Sequence, residues 1–244
     1  MKNNYNLIEL NNVKSTNTEI KKYLNKDNNL INFCISASNQ SNGYGRRKSK
    51  WFSYNGNIHL SLLLKPKCNI RKVNQISFIT AVSIGKTLNK INKIIKVKYK
   101  WPNDIILNKK KLGGIIIETS STNNQKINWC ILGIGLNIKK FPNLKNNEFK
   151  ATSLMNEKIK LNRNIFIKLF LKIFFNNYKL WKEKGFTFIK KQWISNVYKI
   201  NNNIIIKKNN RYIEGKLLNL LSNGCIKLNS KGLIKKIQFG EQVI

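Results

Sequence analysis

The chain has 244 residues, and 46 Lys and Arg against 10 Asp and Glu give it a formal net charge of +36. A hydrophobic share of 41% is enough for a sizeable core and excludes wholesale disorder. Four scattered cysteines and a single histidine exclude a zinc site, and a polar N-terminus without long apolar runs predicts a soluble, cytoplasmic protein.

Up to residue 198 the sequence predicts a mixture of strands and helices. Strands are recognised by alternating or β-branched apolar residues, and helices by apolar residues spaced three and four apart. In chain order we expect a strand at 6–10, a helix from the capping-box pattern Ser15–Glu19 to about Leu24, strands at 31–37 and 57–64, a helix at 73–89, strands at 97–99, 105–107, 115–117 and 129–138, and helices at 164–182 and 186–195.

Beyond residue 198 only short strands are predicted. They lie between Asn-Asn and Asn-Gly turns, a pattern typical of a small all-β barrel, at 204–207, 212–220, 225–228 and 233–239. We therefore predict two domains, 1–198 and 199–244. Because the helices of the first domain are inserted into strands of mostly antiparallel style, we predict that its fold class is α+β.

A polar loop at residues 40–51 is the first candidate for chemistry. Gly43 and Gly45 allow the backbone to approach a ligand closely, and Trp51 could stack on a base. Cations this close together repel one another unless an anion lies among them, which indicates a phosphate-bearing ligand. A solvated basic surface loop is the alternative. The four cations are Arg46, Arg47, Lys48 and Lys50.

The segment Lys100-Trp101-Pro102-Asn103-Asp104, followed by Lys111-Leu112-Gly113-Gly114, is the second candidate. The glycines remove side-chain bulk beside Lys111, so that a ligand could lie against the strand. Lys111 could then neutralise a carboxylate or phosphate, with Asn103 and Asp104 near a metal or an incoming amine. The alternative is that Lys111 is one more surface lysine.

Two glycines in the apolar strand Leu132–Asn137 form the third candidate. Gly133 and Gly135 indicate a close backbone approach, with tight strand packing as the alternative, in which case Asn137 is only a turn residue. No third glycine follows, so the segment is not a dinucleotide-binding fingerprint, and the chain has no Walker phosphate loop.

In their order and spacing, these motifs together resemble the biotin–protein ligases. The resemblance starts at Ser15-Thr16-Asn17, runs through the basic loop and the Lys-Trp-Pro-Asn-Asp turn to Asn137, and extends to the small C-terminal β-domain. It implies a class II synthetase-like catalytic domain, with a mixed and mostly antiparallel sheet, and an SH3-like β-barrel. The implied activity converts biotin and ATP, with Mg²⁺, to biotinyl-5′-AMP and transfers biotin to a lysine of the biotin carboxyl carrier protein of acetyl-CoA carboxylase.

The resemblance also assigns roles to individual residues. Lys111, Arg46 and Asp104 are implied as catalytic residues, and Asn103 and Asp104 as possible Mg²⁺ contacts, since no direct metal-binding pattern is present. The implied nucleotide contacts are Arg46, Arg47, Trp51, Asn103, Lys111 and Asn137. The implied biotin contacts are Ser15, Thr16, Asn17, Gln40, Gly43, Tyr44, Gly45, Arg46, Lys111 and Gly114.

The chain departs from the family pattern in its basic loop. Tyr44 stands where an arginine is usual, and Lys48 and Ser49 replace a Gly-Arg pair, so we expect altered loop dynamics without loss of chemistry. Only 14 residues precede Ser15, and we expect neither the DNA-binding domain of the regulatory family members nor repressor activity. A monomer and a homodimer both stay open.

Two alternatives compete with this interpretation. Lipoate–protein ligases and octanoyltransferases are similar in fold, but the Arg46-Arg47 loop with its closing Trp51 and the C-terminal β-domain argue against them. A basic nucleic-acid-binding protein is suggested by the net charge alone. Lys, Asn and Ile, the residues of A/T-rich codons, dominate the whole chain. We therefore attribute the charge to genome composition and expect no DNA or membrane partner.

Overall fold

A seven-stranded sheet organises the first part of the chain in the computed structural model, which describes residues 5–122, 124–143, 150–209, 211–238 and 240–243. The strand order is β1-β2-β3-β7-β6-β5-β4, with β1 and β2 parallel and all other neighbours antiparallel. The predicted α+β class with a mixed, mostly antiparallel sheet is confirmed. The strands are β1 (Asn6–Val13), β2 (Phe33–Gln40), β3 (Ile58–Leu64), β4 (Lys98–Lys100), β5 (Asp104–Leu107), β6 (Lys110–Ser121) and β7 (Ile127–Leu136).

Helices cover both faces of this sheet. Helix α1 (Thr16–Lys26) packs on β2, β3 and β7, where Ile20 and Leu24 bury against Leu63 and Ile131. The alternate residues of β3 point to the other face and join the main core. That core lies under three helices that pack on one another, α2 (Gln75–Ile91), α3 (Arg163–Lys184) and α4 (Thr187–Ser195). Among the described residues, no helix combines the length and apolarity needed to cross a membrane.

The capping box predicted at the start of α1 is wrong. Ser15 is the N-cap residue, and its side chain makes no capping hydrogen bond. The Glu19 carboxylate pairs with Lys22 instead of turning back to the helix start. Gln40, at the end of β2, accepts a hydrogen bond from the Thr16 backbone N–H at 2.8 Å. A side chain from β2 therefore accepts the hydrogen bond of a backbone N–H at the helix start, a role that local side chains were expected to fill.

A second, five-stranded antiparallel sheet follows α4 and confirms the predicted C-terminal β unit. The strand at Glu241–Val243 was not predicted. The strand predicted at 233–239 is found, but its predicted end, Phe239, lies outside the described residues. Residues of this sheet belong to the main core, and the Trp101 indole donates to the Gly224 carbonyl at 3.1 Å. The domain boundary at residue 198 stays a prediction. In the order β11-β10-β9-β8-β12, the strands are β8 (Asn203–Lys208), β9 (Arg211–Leu220), β10 (Ile226–Ser230), β11 (Leu233–Ile237) and β12 (Glu241–Val243).

Candidate active site

A cleft of about 680 Å³ opens on the face of the sheet that carries α1. Of the predicted site residues, Gly43 alone is not part of its lining. Gly43 lies at the base of the loop, where an added Cβ would come within 2.8 Å of the Trp51 carbonyl oxygen. The predicted residues that line the cleft are Ser15, Thr16, Asn17, Gln40, Tyr44, Gly45, Arg46, Arg47, Trp51, Asn103, Asp104, Lys111, Gly114 and Asn137.

Strand pairing explains why residues so distant in sequence meet in the cleft. Asp104 pairs with Gly114, and Gly114 pairs with Gly135, so these three residues form one row on the cleft face. Gly133 lies in the next row, paired with Ser61. The rows are two residues apart along the strands, which corresponds to about 7 Å. The two rows form the floors of two chemically different ends of the cleft.

One end of the cleft is uncharged and rich in hydrogen-bonding groups. The buried Ser61 hydroxyl lies 2.6 Å from Thr16 Oγ1 and 2.5 Å from Asn17 Oδ1. Thr16 Oγ1 in turn donates to Gln40 Oε1 at 3.1 Å. Gly133 makes room for this group of side chains, because an added Cβ would lie 2.6 Å from Asn17 Oδ1. This end can therefore offer both donors and acceptors to a neutral polar ring.

The other end of the cleft is cationic. Lys111 Nζ lies 2.8 Å from Asp104 Oδ1, and Lys100 Nζ lies 3.9 Å from Asp104 Oδ2. Arg46 Nη1 donates to Asn103 Oδ1 at 3.4 Å, and burial lowers the pKa of the Arg46 guanidinium. Three cations thus surround one carboxylate and one amide, an arrangement suited to binding carboxylate and phosphate groups.

A β-bulge places Lys111 at this cationic end. Asp104 pairs with Gly114 and Ile106 with Lys111, so β6 carries one extra residue between the two pairs. In a regular strand, residues three apart point to opposite faces, and Lys111 would then point away from Gly114. The extra residue brings Lys111 to the cleft face instead, a common use of bulges at active sites.

Trp51 rests on the floor of the cleft. Its indole ring lies against Gly135, where an added Cβ would come within 2.4 Å of the ring. The indole Nε1 is buried and has no hydrogen-bond partner among the described residues. Leaving a buried N–H unpaired costs about 1–3 kcal/mol, which a ligand acceptor could recover. The expected contact of Trp51 with an adenine stays a prediction.

The Asn137 side chain is already engaged in the described structure. Asn137 Nδ2 donates to the Thr152 carbonyl at 3.1 Å, and Asn137 Oδ1 accepts from Asn57 at 3.4 Å. Asn57 also accepts from the backbone N–H groups of Ile138 and the two residues after it. Asn137 therefore lines the cleft mainly as part of a network that shapes the chain after β7.

Sequence reasoning missed several residues that line the cleft or support its lining. Ser61 and Glu118, which both contact Asn17, had a signal in the sequence, because Ser61 is polar within an apolar strand and Glu118 is one of only 10 acids. Lys100 was identified only as the first residue of the Lys-Trp-Pro-Asn-Asp motif, with no role of its own. Lys207 and Glu241 of the second sheet also line the cleft, and no local pattern marks them.

Comparisons with known proteins agree with this geometry. Residues 10–137 match the Biotin/lipoate A/B protein ligase family. The biotin protein ligase from Aquifex aeolicus in complex with biotin and ATP is 29% identical, with 97% of both chains covered and a TM-score of 0.81. The bifunctional ligase/repressor BirA of Bacillus subtilis is 33% identical over 207 residues, 83% of this chain.

The chain spans 63% of the length of that Bacillus subtilis protein. The biotin–[acetyl-CoA-carboxylase] ligase of Paracoccus denitrificans is 26% identical over 178 residues, which make up 71% of this chain and 74% of the relative. The family match covers more than half of the chain and contains both ends of the cleft floor. On this evidence the chain belongs to the biotin/lipoate A/B protein ligase family.

Proposed function

We propose that this protein is an ATP-dependent biotin–protein ligase. In the first step a biotin carboxylate oxygen attacks the α-phosphorus of ATP, an O–P bond forms and pyrophosphate leaves, which yields biotinyl-5′-AMP. In the second step an acceptor lysine amine attacks the acyl carbon of this adenylate, an amide forms, and AMP and a proton leave. Family membership and the similarity to the Aquifex aeolicus enzyme over 97% of both chains support the proposal.

The observation that carries the proposal is the division of one cleft into an uncharged end and a cationic end. Biotin has the same division, with a neutral ureido ring at one end and a carboxylate at the other. Thr16 and Asn17 line this end of the cleft and offer hydroxyl and amide groups to the ring, and Ser61 supports both from behind. Lys111 and Arg46 face the end where the carboxylate would meet the α-phosphate.

Lys111 is the residue that would stabilise the first transition state. Negative charge builds up around phosphorus as the carboxylate attacks and pyrophosphate leaves, and a fixed cation offsets it. The Lys111–Asp104 ion pair at 2.8 Å holds the ammonium at the cleft floor before any ligand arrives. Removal of such a preorganised group from an active site costs on the order of 10²–10³ in rate.

Asp104 would serve the second step. An acceptor amine has an ordinary pKa of about 10.4, so a neighbouring base must take its proton before or during attack. The Asp104 carboxylate lines the cleft at its cationic end and is therefore the group we assign to this role. The acceptor we propose is a lysine of the biotin carboxyl carrier protein of acetyl-CoA carboxylase, in keeping with the name of the Paracoccus denitrificans relative. The compartment we propose for the reaction is the cytoplasm.

Mg²⁺ would enter this cleft on the phosphates of ATP. The described residues contain no group of three or more His, Cys, Asp or Glu that could hold a metal by itself. Both Asp104 oxygens face lysines, and Asn103 Oδ1 accepts from Arg46. This donor set fits Mg²⁺ that keeps water and phosphate oxygens as ligands, with at most Asp104 from the protein. When bound, the ion would neutralise charge on the leaving pyrophosphate.

Lipoate is the alternative acid within the same family, and the uncharged end of the cleft argues against it. The dithiolane ring of lipoate has no hydrogen-bond donors or acceptors comparable with those of the ureido group. Thr16 and Asn17 line this end, and besides their bonds to Gln40, Glu118 and Ser61 they keep hydrogen-bonding capacity that a ureido group could use. A dithiolane ring would leave that capacity without a ligand partner, which disfavours lipoate.

The first experiment is biotin-dependent exchange of ³²P-pyrophosphate into ATP with Mg²⁺ present. We expect exchange with biotin and none with lipoate. Lys111→Ala should reduce the exchange rate by roughly 10²–10³-fold, because the fixed charge at the reacting centre is lost. Exchange with lipoate alone would assign the protein to the sister activity, and exchange with neither acid would contradict a ligase function.

Lys110→Ala is the matched control. Lys110 is the neighbouring residue of the same hairpin and is also ion-paired, with Glu157 at 3.2 Å, but it does not line the cleft. We expect Lys110→Ala to retain exchange within a few-fold of the wild type, since Thr152 and Asn108 still bind Glu157 and the charge of Lys111 is unchanged. An equal loss in both variants would show that Lys111 has no special role.

A further inference from the structure

A side-chain hydrogen bond closes the base of the basic loop, residues 40–51. Gln40 Nε2 donates to Ser53 Oγ at 2.9 Å. Gln40 is the last residue of β2 and begins the loop, whereas Ser53 lies two residues after Trp51, where the loop ends. The bond therefore joins the chain that enters the loop to the chain that leaves it.

Gly43 shows how closely the two limbs of the loop pack at this point. An added Cβ there would lie 2.8 Å from Ser53 Oγ and 2.9 Å from Gln40 Nε2. It would also lie 2.8 Å from the Trp51 carbonyl oxygen, and the Trp51 N–H donates to the Gly43 carbonyl at 3.0 Å. The backbone thus holds Ser53 and Gln40 in contact and leaves no room for a side chain at Gly43.

Gln40 connects this contact to the start of α1. Its Oε1 accepts from the Thr16 backbone N–H at 2.8 Å and from Thr16 Oγ1 at 3.1 Å. Thr16 lines the uncharged end of the cleft, and its hydroxyl lies 2.6 Å from the buried Ser61 hydroxyl. A continuous row of polar contacts therefore runs from Ser53 through Gln40 to the pocket proposed for the biotin ring.

Ser53 determines the orientation of the Gln40 amide. An amide has an acceptor at one end and donors at the other. The Thr16 backbone N–H can only donate, so it requires the Gln40 oxygen, and the Gln40 nitrogen then requires an acceptor on the opposite side. Ser53 Oγ is the acceptor in that position. Without the Ser53 hydroxyl, the amide would keep its bonds to Thr16 and lose the bond that fixes its other end.

We propose that Ser53 is a positioning residue that holds Gln40, and through it Thr16, in the geometry that binds biotin. The inference rests on the proposed function. Gln40 and Thr16 line the cleft, whereas Ser53 does not, so Ser53 acts through Gln40 and contacts no reacting atom. Side chains that are fixed before the ligand arrives lose less freedom on binding. Loss of the Ser53 hydroxyl should therefore weaken the binding of biotin and leave the chemical step nearly unchanged.

The test is a double-mutant cycle with Ser53→Ala, Gln40→Leu and the combined variant. For Ser53→Ala we expect the KM for biotin in pyrophosphate exchange to rise about three- to tenfold, as for the loss of one hydrogen bond, with kcat within about twofold of the wild type. Gln40→Leu should raise the KM further, because it removes the bonds to both Ser53 and Thr16. In the Gln40→Leu background, Ser53→Ala should add less than about a twofold rise, because its effect depends on the Gln40 amide.

The Kd for biotin, measured by calorimetry, should follow the same pattern, and it replaces the KM for a variant too slow for the exchange assay. Ser195→Ala is the control, because the Ser195 hydroxyl at the end of α4 donates to the Gln192 carbonyl at 2.9 Å outside the cleft. It should change neither constant.

The outcomes separate this inference from the proposed function. If the wild type shows no biotin-dependent exchange, the proposed function fails and this inference fails with it. If the wild type is active but Ser53→Ala binds biotin as the wild type does, the inference alone fails. It also fails if the two substitutions multiply in their effects on the KM and the Kd, because Ser53 would then not act through Gln40.

Discussion

Gly133 determines how closely the α1 helix can approach the cleft floor. An added Cβ at this position would lie 2.6 Å from Asn17 Oδ1 and 2.7 Å from Ile116 Cγ2. Asn17 cannot move aside cheaply, because its amide is engaged by Ser61 and Glu118 in the described structure. The absence of a side chain at Gly133 is therefore a packing requirement of the uncharged end of the cleft.

Gly133→Ala should consequently destabilise the protein. Overpacking a well-filled site costs about 1–3 kcal/mol, which lowers Tm by several degrees in a chain of this length. Gly114→Ala is the comparison in thermal melting, because an added Cβ there meets no atom closer than 3.7 Å. It should shift Tm by much less. Equal shifts in the two variants would show that the contact with Asn17 does not limit the site.

At the scale of elements, the β5–β6 hairpin is held from its outer side by Glu157. The Glu157 carboxylate accepts from Thr152 Oγ1 and from Asn108 Nδ2, each at 2.6 Å. Lys110 of the hairpin is ion-paired with it at 3.2 Å. Backbone hydrogen bonds from Lys111 to residues 150 and 152 already attach the hairpin to the segment before α3, and the Glu157 carboxylate adds side-chain contacts to this attachment.

The Glu157 contacts predict a pH dependence of stability. The hydrogen bond from Thr152, with those from Asn108 and Lys110, lowers the pKa of Glu157 from 4.5 to about 2. A carboxylate whose pKa is lower in the folded state than in the unfolded state stabilises the fold fully when the pH is above its ordinary pKa. This stabilisation is lost as the pH falls towards the folded-state pKa. The Tm difference between wild type and Glu157→Gln should therefore be largest near neutrality. It should close as the pH falls from about 4.5 to about 2, and a difference that stays constant over this range would contradict the prediction.

Much of the fold and of the cleft could be predicted from local patterns. The strand predicted at 105–107, for example, is found at Asp104–Leu107, and the turn that follows it has positive φ at Asn108 and Lys109. Contacts between distant residues could not be predicted in this way. Gln40 accepts the hydrogen bond from the Thr16 N–H, 24 positions earlier in the sequence, in place of a local cap. Glu118 accepts a hydrogen bond from Asn17, 101 positions earlier. The bulge that orients Lys111 depends on pairing with β5, which no periodicity within β6 reveals.

At the scale of the whole molecule, the second sheet closes one side of the cleft. Glu241 of β12 lies opposite Lys207 of β8, and both line the cleft. The basic loop rests on this strand, because Arg46 Nη1 donates to the Gly240 carbonyl at 3.5 Å. Arg47 Nη1 lies 3.7 Å from Glu241 Oε1. The same arginines are the proposed phosphate contacts, so the second sheet and the nucleotide would compete for the loop.

This competition predicts that Glu241→Gln improves the use of ATP. Both side chains of the Arg47–Glu241 pair are more than half exposed, so the pair contributes little to stability, and Tm should hardly change. Release of Arg47 should lower the KM for ATP about two- to fivefold at low salt. The difference should shrink at roughly 0.5 M NaCl, where exposed charges are screened. Glu214→Gln on β9 changes the net charge equally outside the cleft and should leave the KM unchanged. A raised KM in Glu241→Gln would instead mean that Glu241 holds Arg47 in the position that ATP needs.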